Sequence, residues 1–397
     1  MTNIFESAGS SIFRDITYLE NSYIPPQLIG REEELNLIAS AYQPIIMKSS
    51  PRNLFLLGKP GSGKNVANAF VVNQLKNTVK KSDLDMDVVF LQISCKKANT
   101  STSVMKNIIN QYRPDIRVPN RGLGLDEYYD IFAEMFDNDK HQVIIIMLDE
   151  IERLKDDDVL YMLSRAEETR LLNNQTKVSI VGTSNDFEYK QKMDPAIASS
   201  MYMKDVMFMP YKEEQLEKIL SDRIYAFKEG VVDDDVISLC SKLSAREHGD
   251  ARRAIQLLKE AGHIADRSGN SRVSILNVYE ADEAVDVDCL NEMILGLPDQ
   301  QKMILLSVIQ SESISNVAKT GDVIAKYNSL CKRYNFKALS RQRVSQIITD
   351  LKKAQLICIN KVMSKDGNSR ELWLNKEIKK QSTVVESTLL KCLYYQT

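Results

Sequence analysis

Apolar residues recur along the chain with two different periods, and the change of period divides it. Between residues 53 and 184 there are short, nearly unbroken apolar runs at 53–57, 88–93, 142–149 and 178–184. Such runs suit strands of a parallel sheet buried on both faces, with helix-compatible stretches between them. From Lys212 to about Val285 the period becomes helical. Leu216, Ile219, Leu220 and Ile224 share one face, Val236, Ile237, Cys240 and Leu243 a second, and Ala254, Ile255, Leu258, Ala261 and Ala265 a third. Arg267 to Ser271 reads as a loop. From about Asp286 three more apolar-faced helices are expected, at 299–310, 321–334 and 340–353. Ser340 supplies an N-cap for the last, and Val344, Ile347, Ile348 and Leu351 its inward face. Two short strand patterns, 356–362 and 370–374, flank an Asp366-Gly367 turn and predict a hairpin. Three helices and a hairpin make a winged helix. The expected organisation is an α/β domain with a parallel sheet over 1–211, a helical lid over 212–285 and a winged helix over 286–397.

The first chemistry lies after the first strand. Gly58-Lys59-Pro60-Gly61-Ser62-Gly63-Lys64-Asn65 precedes a helix pattern with Val66, Phe70, Val71 and Leu75 on one face. Strand, glycine-rich loop and helix in that order are what a phosphate loop needs. Gly58, Gly61 and Gly63 let backbone N–H groups wrap a phosphate, and the helix N-terminus adds partial positive charge. Lys64 is expected to reach the β and γ phosphates. The residue after this lysine is ordinarily Ser or Thr, whose hydroxyl ligates Mg²⁺. Asn65 stands there instead, so nucleotide binding is expected to survive and Mg²⁺-assisted hydrolysis to be weakened.

The strand at 142–149 ends in Asp149-Glu150, at the edge where open α/β sheets bind ligands. Asp149 is a candidate Mg²⁺ holder through water, and Glu150 a candidate for polarising the attacking water. The strand at 178–184 ends in Asn185, placed to orient that water or touch the γ-phosphate.

These motifs, in this order, are similar to the AAA+ ATPases, which implies that the first domain is an AAA+ domain. Arg246-Glu-His-Gly249-Asp250-Ala-Arg252-Arg253-Ala254 resembles the sensor-two helix of the archaeal origin-binding replication initiators. That family is related to the largest eukaryotic origin recognition complex subunit and to the cell-division-control helicase loader. Tyr23-Ile-Pro-Pro26 and Ile29-Gly30-Arg31-Glu-Glu-Glu-Leu35 resemble its adenine-pocket entry, and 119–129 the stretch between its two nucleotide motifs. The resemblance runs from about Phe13 to about Leu374. It implies nucleotide contacts from Tyr23, Ile29, Gly30, Arg31, Gly58 through Val66, and Tyr211. It also implies a catalytic set of Asp149, Glu150, Asn185 and Arg252, with Arg252 sensing ATP or ADP from the lid. Mg²⁺ would fall to Asn65 and Asp149. Where the family carries arginines after the third strand, one able to act in trans, this chain has Ala196 and Ala198. Loss of an arginine finger costs roughly three to five orders of magnitude in turnover.

Composition alters the picture only once it is divided. The 397 residues are 43% hydrophobic and 27% charged, which excludes disorder or a fibre over most of the length. The six cysteines and three histidines are isolated, so zinc and disulfides are not expected, and the cysteines read as small buried hydrophobes in a reducing compartment. The longest apolar run, 143–148, is too short to span a membrane. The first fifteen residues lack the basic and apolar stretches of a secretory leader. A cytoplasmic, nucleoid-associated protein is expected.

The net charge of −2 argues against nucleic acid. Residues 331–380, however, hold 13 Lys plus Arg against 4 Asp plus Glu, a local +9 that leaves −11 for the remainder. The outer side of the 340–353 helix carries Arg341, Gln342, Arg343, Ser345 and Gln346, donors that reach base edges and phosphates. The wing offers Lys361, Lys365 and Arg370 to phosphates. By the resemblance, an inserted helix at about 96–121 adds Lys106, Arg117 and Arg121. The expected function is an ATP- or ADP-binding initiator on double-stranded origin DNA, with a paralogous initiator and the replicative helicase as further partners. The alternatives are a non-hydrolysing regulatory DNA-binding protein and an AAA+ loader working as a ring on protein substrates.

Overall fold

The computed structural model describes residues 10–115, 122–136, 141–168, 172, 175–315, 317–364 and 367–394. It forms two compact units divided at Val278 and Tyr279. In the first unit five parallel strands make one sheet: β1 (Leu54–Gly58), β2 (Asp87–Ser94), β3 (Gln142–Asp149), β4 (Thr176–Ser184) and β5 (Lys204–Phe208), in the order β2-β3-β4-β1-β5. The four strands expected from unbroken apolar runs are present. β5 carried no such run, because this short edge strand opens on Lys204 and Asp205 and buries only Val206 and Phe208.

Each face of the sheet has its own core. On one, Phe55, Ile144, Ile146, Leu148 and Ile180 pack with Tyr128, Phe132 and Phe136. On the other, Leu54, Leu56, Ile145, Met147 and Val181 pack with Val71, Val72 and Leu75 of the helix Lys64–Lys81. Alternation along one strand thus feeds two layers of helices, which is why these strands read as continuous apolar runs. The buried face of the Lys64–Lys81 helix is rotated from the one expected. Ala67, Asn68, Val71, Val72 and Leu75 are buried, whereas Val66 and Phe70 are only half-buried. Asn68 is accommodated by accepting a 2.6 Å hydrogen bond from the Tyr42 hydroxyl.

The lid consists of the helices Glu213–Asp222, Asp234–Arg246 and Ala251–Arg267. An N-terminal arm packs onto it rather than onto the sheet. Phe13 stacks near Phe227 and His263, at 5.1 and 4.9 Å between ring centres. Gly262 permits this, since a Cβ there would stand 2.5 Å from the Phe13 ring. The Arg14 N–H donates to the Ala226 carbonyl, and Ser11 binds the Asp266 carboxylate.

The second unit contains the helices Asp299–Ser315, Thr320–Arg333 and Arg341–Lys353, and a sheet of β6 (Ala318–Lys319), β7 (Ile357–Ser364) and β8 (Gly367–Leu374) in the order β6-β8-β7. β7 and β8 form the expected antiparallel hairpin, from Ile357 opposite Leu374 to Ser364 opposite Gly367. This is a winged helix extended by a third short strand and by the helix Ser382–Tyr394. The boundary expected between 285 and 286 falls inside one continuous helix, Ile275–Leu295. Cys95, Cys240, Cys331, Cys358 and Cys392 are all uncrosslinked. Among the described residues no helix is long and apolar enough to cross a membrane.

Candidate nucleotide cleft and nucleic-acid interface

The loop from Gly58 to Lys64 sits between the C-terminal end of β1 and the helix that Lys64 begins. Gly61 and Gly63 have φ of +68° and +93°, in the left-handed region that side chains disfavour. Lys64 is buried at 7% exposure. Its ammonium donates to the Gly58 and Lys59 carbonyls at 2.6 and 3.1 Å and to Asn185 Oδ1 at 2.9 Å. Burial pulls the Lys64 pKa below its ordinary value, and Asp149, Glu152 and Glu150 partly restore it. The Ser62 hydroxyl is buried with no hydrogen-bond partner among the described residues. A cationic loop with an orphaned donor and two left-handed glycines fits an anionic phosphate chain.

The strand tips gather around it. Thr183 Oγ1 donates to Asp149 Oδ1 at 2.6 Å and accepts from the Glu150 N–H at 3.3 Å. Glu150 is left-handed (φ 55°), which turns the chain sharply after β3, and its Oε2 lies 3.6 Å from Arg153 Nε. The Asn185 N–H donates to Glu152 Oε1 at 3.3 Å. Burial, then the neighbouring Asp149, Glu152 and Glu150 carboxylates, push the adjacent Cys95 thiol up to about 12, leaving it a neutral, unreactive hydrophobe. Among the described residues no three His, Cys, Asp or Glu side chains form a metal cluster. A Mg²⁺ ion held mainly by phosphates commonly needs only one or two protein groups, so such a cation would not require a cluster here.

The lid closes the far side. Asp250 caps the helix Ala251–Arg267 by accepting from the Arg252 and Arg253 N–H groups at 2.7 and 3.2 Å, and the Ala251 N–H donates to the Gly61 carbonyl at 3.2 Å. A Cβ on Gly61 would stand 1.7 Å from Asp250 Oδ1. Gly61→Ala is therefore expected to lower stability by about 1–2 kcal/mol through left-handed backbone alone, and further by displacing Asp250. A fall in Tm on calorimetry checks this, and an unchanged Tm contradicts a lid seated on the loop.

Of the residues expected at the nucleotide, Tyr23, Ile29, Pro60 to Val66, Asp149, Glu150, Asn185, Tyr211 and Arg252 line this one cleft. Gly30, Arg31, Gly58 and Lys59 do not. Arg31 is buried behind it, with its guanidinium 3.8 Å from the Tyr211 ring centre and a hydrogen bond to the Met209 carbonyl. Its contacts are thus with the Glu34 carboxylate at 2.8 Å and with Tyr211, whose backbone N–H in turn donates to the Gly249 carbonyl. Sequence reasoning missed Arg223. Its guanidinium lies 4.4 Å from the Tyr23 ring centre and donates to the Tyr18 carbonyl at 2.7 Å, joining the arm to the lid at the cleft wall. Thr183 was missed as well, because only the β3–β4 register, Leu148 opposite Gly182, sets it beside Asp149.

In the second unit the helix Arg341–Lys353 is capped by Ser340, whose hydroxyl accepts from the Arg343 N–H at 3.4 Å. Val344, Ile347, Ile348 and Leu351 are buried as expected, leaving Arg341, Gln342, Arg343 and Gln346 exposed and Ser345 half-buried. Arg370 of β8 donates to Ser345 Oγ at 3.3 Å, which holds the wing against this helix. Lys361 stands opposite Arg370 in the ladder. Lys106 is half-buried on the helix Ser101–Tyr112, which begins at a Thr100 capping box and packs into the sheet core through Val104, Met105, Ile108 and Ile109. Arg117, Arg121 and Lys365 lie outside the described residues.

Three family models match consecutive parts of the chain: an AAA domain over 47–188, a Cdc6 AAA+ ATPase-type lid domain over 217–283, and a CDC6 C-terminal winged helix domain over 292–383. An ORC1-type DNA replication protein of Thermococcus onnurineus is 38% identical over 94% of this chain and 91% of its own length. This chain belongs to the ORC1-type DNA replication protein family. The ORC1-type relative of Pyrococcus furiosus is also 38% identical, over 92% of this chain and 87% of its own. Among solved structures, the Aeropyrum pernix ORC1 protein in complex with DNA superposes with a TM-score of 0.84 at 32% identity, covering 96% of this chain and 98% of that one. The AAA+ core, lid and winged helix of this ORC1-type chain are thus those of its family.

Proposed function

We propose that this chain is a nucleotide-bound replication initiator that recognises origin duplex DNA through its winged helix and an ATPase-domain insertion, with slow or impaired ATP hydrolysis. The observation that carries the DNA reading is the Arg370–Ser345 hydrogen bond. It couples a basic wing to a helix whose exposed side is Arg341, Gln342, Arg343 and Gln346, so both can meet one duplex. The Aeropyrum pernix ORC1 protein, described with DNA, supports carrying that ligand to this chain.

Backbone N–H groups of Gly61 to Lys64 would hold the phosphates, with Lys64 and Arg252 neutralising them from core and lid. Tyr23, Ile29, Val66 and Tyr211 would hold the rest of the nucleotide. When bound with Mg²⁺, ATP supplies a phosphoanhydride whose cleavage demands charge neutralisation at the γ-phosphate. Asn65 and Asp149 would hold the cation, Asp149 being oriented by Thr183. Glu150 would hold the proton of an attacking water and Asn185 would fix that water beside Lys64. The weakness is Asn65, whose longer amide replaces a hydroxyl, together with the alanines at 196 and 198. Ala196 and Ala198 lie on the helix Pro195–Met201 and offer no charge to a neighbouring subunit.

The proposed domains are 1–211, 212–285 and 286–397, the last two joined through the helix Ile275–Leu295, the proposed partners a paralogous initiator on an adjacent site and the replicative helicase, and the proposed location cytoplasmic and nucleoid-associated. Asn65 also favours a second reading, a regulatory DNA-binding protein that keeps ADP or ATP without hydrolysing it.

The test uses the full chain on origin duplex and on random duplex at moderate salt. Footprints confined to origin DNA are expected, with ATP turned over slowly under single-turnover conditions. Equal protection of random duplex would overturn origin recognition. No detectable hydrolysis selects the regulatory reading.

A further inference from the structure

The helix Arg341–Lys353 is entered from a turn, residues 334–340, that is fastened from outside by a hydrogen-bonded pair of side chains, Tyr327 and Gln300. Tyr327, on the helix Thr320–Arg333, is fully buried. Its hydroxyl donates to Gln300 Oε1 at 2.5 Å and accepts from the Leu339 N–H at 3.0 Å. Gln300, in the first turn of the helix Asp299–Ser315, uses its other terminus as well, with Nε2 donating to the Lys337 carbonyl at 3.2 Å. One tyrosine–glutamine pair therefore ties two backbone groups of the turn to two different helices. Within the turn, the Phe336 N–H closes back on the Cys331 carbonyl at 2.8 Å and Asn335 is left-handed (φ 55°).

The fastening lies immediately before the reading residues. Leu339 precedes the cap Ser340, and the exposed Arg341, Gln342 and Arg343 follow it in the first helical turn. A hydroxyl that both donates and accepts while buried is fully satisfied, and its removal leaves the Leu339 N–H without that partner. Burial, opposed by the Leu339 N–H, pushes the Tyr327 hydroxyl up to about 12, so it remains a donor at neutral pH.

We infer that the Tyr327–Gln300 pair is a positioning device for sequence reading, setting where the start of the Arg341–Lys353 helix meets base edges without itself touching DNA. The inference rests on the proposal that the winged helix reads duplex DNA. Phosphate contacts are long-ranged and tolerate a small shift of the helix start, whereas bidentate contacts to base edges demand fixed geometry. Loss of the pair should therefore cost discrimination and spare non-specific grip.

The experiment uses the full chain and two probes: a duplex enriched by the wild-type chain from a random-sequence pool, and the same duplex scrambled. Tyr327→Phe removes the hydroxyl alone. Gln300→Ala, at a half-buried position, is the second variant should Tyr327→Phe fail to fold. Each variant is expected to bind the enriched duplex about tenfold more weakly, about 1.4 kcal/mol. Binding to the scrambled duplex should stay within about twofold, with an unchanged salt slope. Equal losses on both probes, or no change on either, would overturn the inference. A wild-type chain that enriches no sequence would overturn the DNA-reading proposal itself. Enrichment by the wild type with equal losses in the variants removes only the positioning role.

Discussion

Raising the salt from about 50 to about 200 mM is expected to weaken binding of this chain to duplex DNA roughly 10³-fold. The number comes from counting cations on the helix Arg341–Lys353 and the adjoining hairpin. Arg341, Arg343, Lys352 and Lys353 are exposed on one helix, Lys361 lies on β7, and Arg370 on β8 is held beside the helix by Ser345. If each neutralises one phosphate, six condensed counterions are displaced. The slope of log affinity against log salt is then about −5.4, at about −0.9 per phosphate. The whole-chain charge of −2 predicts no such dependence, so a titration by fluorescence anisotropy separates the two pictures. Arg341→Ala with Arg343→Ala distinguishes contact types further. The slope should shrink by about 1.8 if both side chains bind phosphate, and sequence preference should relax if they read bases. A slope near zero would remove the winged helix as the DNA-binding surface.

The same contrast between whole-chain and local properties governs what could be read before the fold was known. β1, β3 and β4 were legible because each is buried on both faces, and β2, the other edge, because its half-buried Val88, Val89 and Phe90 still extend an apolar run to Leu91. β5 was not, because it is short and opens on Lys204 and Asp205: Val206 and Phe208 are covered while Asp205 and Met207 are exposed. The helix Ser382–Tyr394 did carry a signal, since its buried Val385, Leu389 and Leu393 stand four apart. The phosphate loop was legible because its chemistry is local, with seven consecutive residues making the cradle. The cleft wall was not, because Arg223 meets Tyr23 across two hundred residues of chain. The sequence around Arg31 resembles the family's nucleotide-entry stretch, and the fold adds what the sequence could not show: the side chain is buried against Tyr211 and the Met209 carbonyl, beside the wall of the cleft. Around the expected 285/286 boundary the helix continues from 275 to 295, so the sequence there offers no break in helical period.

Replacing Lys64 by methionine is expected to weaken ATP and ADP binding about 100-fold while removing a pH dependence from the ligand-free chain. A charge-assisted hydrogen bond to phosphate contributes about 1.5–3 kcal/mol, and about 2.7 kcal/mol corresponds to that factor. With nucleotide at one hundred times the wild-type Kd, the wild-type chain gains about 2.7 kcal/mol of stability and the variant about 0.4 kcal/mol, so most of the ligand-induced rise in Tm should disappear. Methionine keeps the length and apolar stem of the side chain, so the helix Lys64–Lys81 keeps its packing. The pH effect follows from the direction of the Lys64 shift. Its folded-state pKa lies below the ordinary 10.5, chiefly through burial. The unfolded chain therefore binds this proton more tightly, and the ligand-free fold carries a penalty wherever Lys64 is charged in both states. That penalty is fully present below the folded pKa and lifts as pH rises from there toward 10.5. Ligand-free wild-type protein should accordingly gain stability across this alkaline window relative to Lys64→Met, measured by denaturant unfolding at successive pH values. Bound nucleotide should reverse the effect, because phosphate favours the ammonium form and raises the same pKa. A variant that keeps wild-type nucleotide affinity would show that the loop from Gly58 to Lys64 is not where the phosphates bind. A wild-type chain whose alkaline stability tracks that of the variant would show that the buried ammonium is already compensated by Asp149, Glu152 and Glu150.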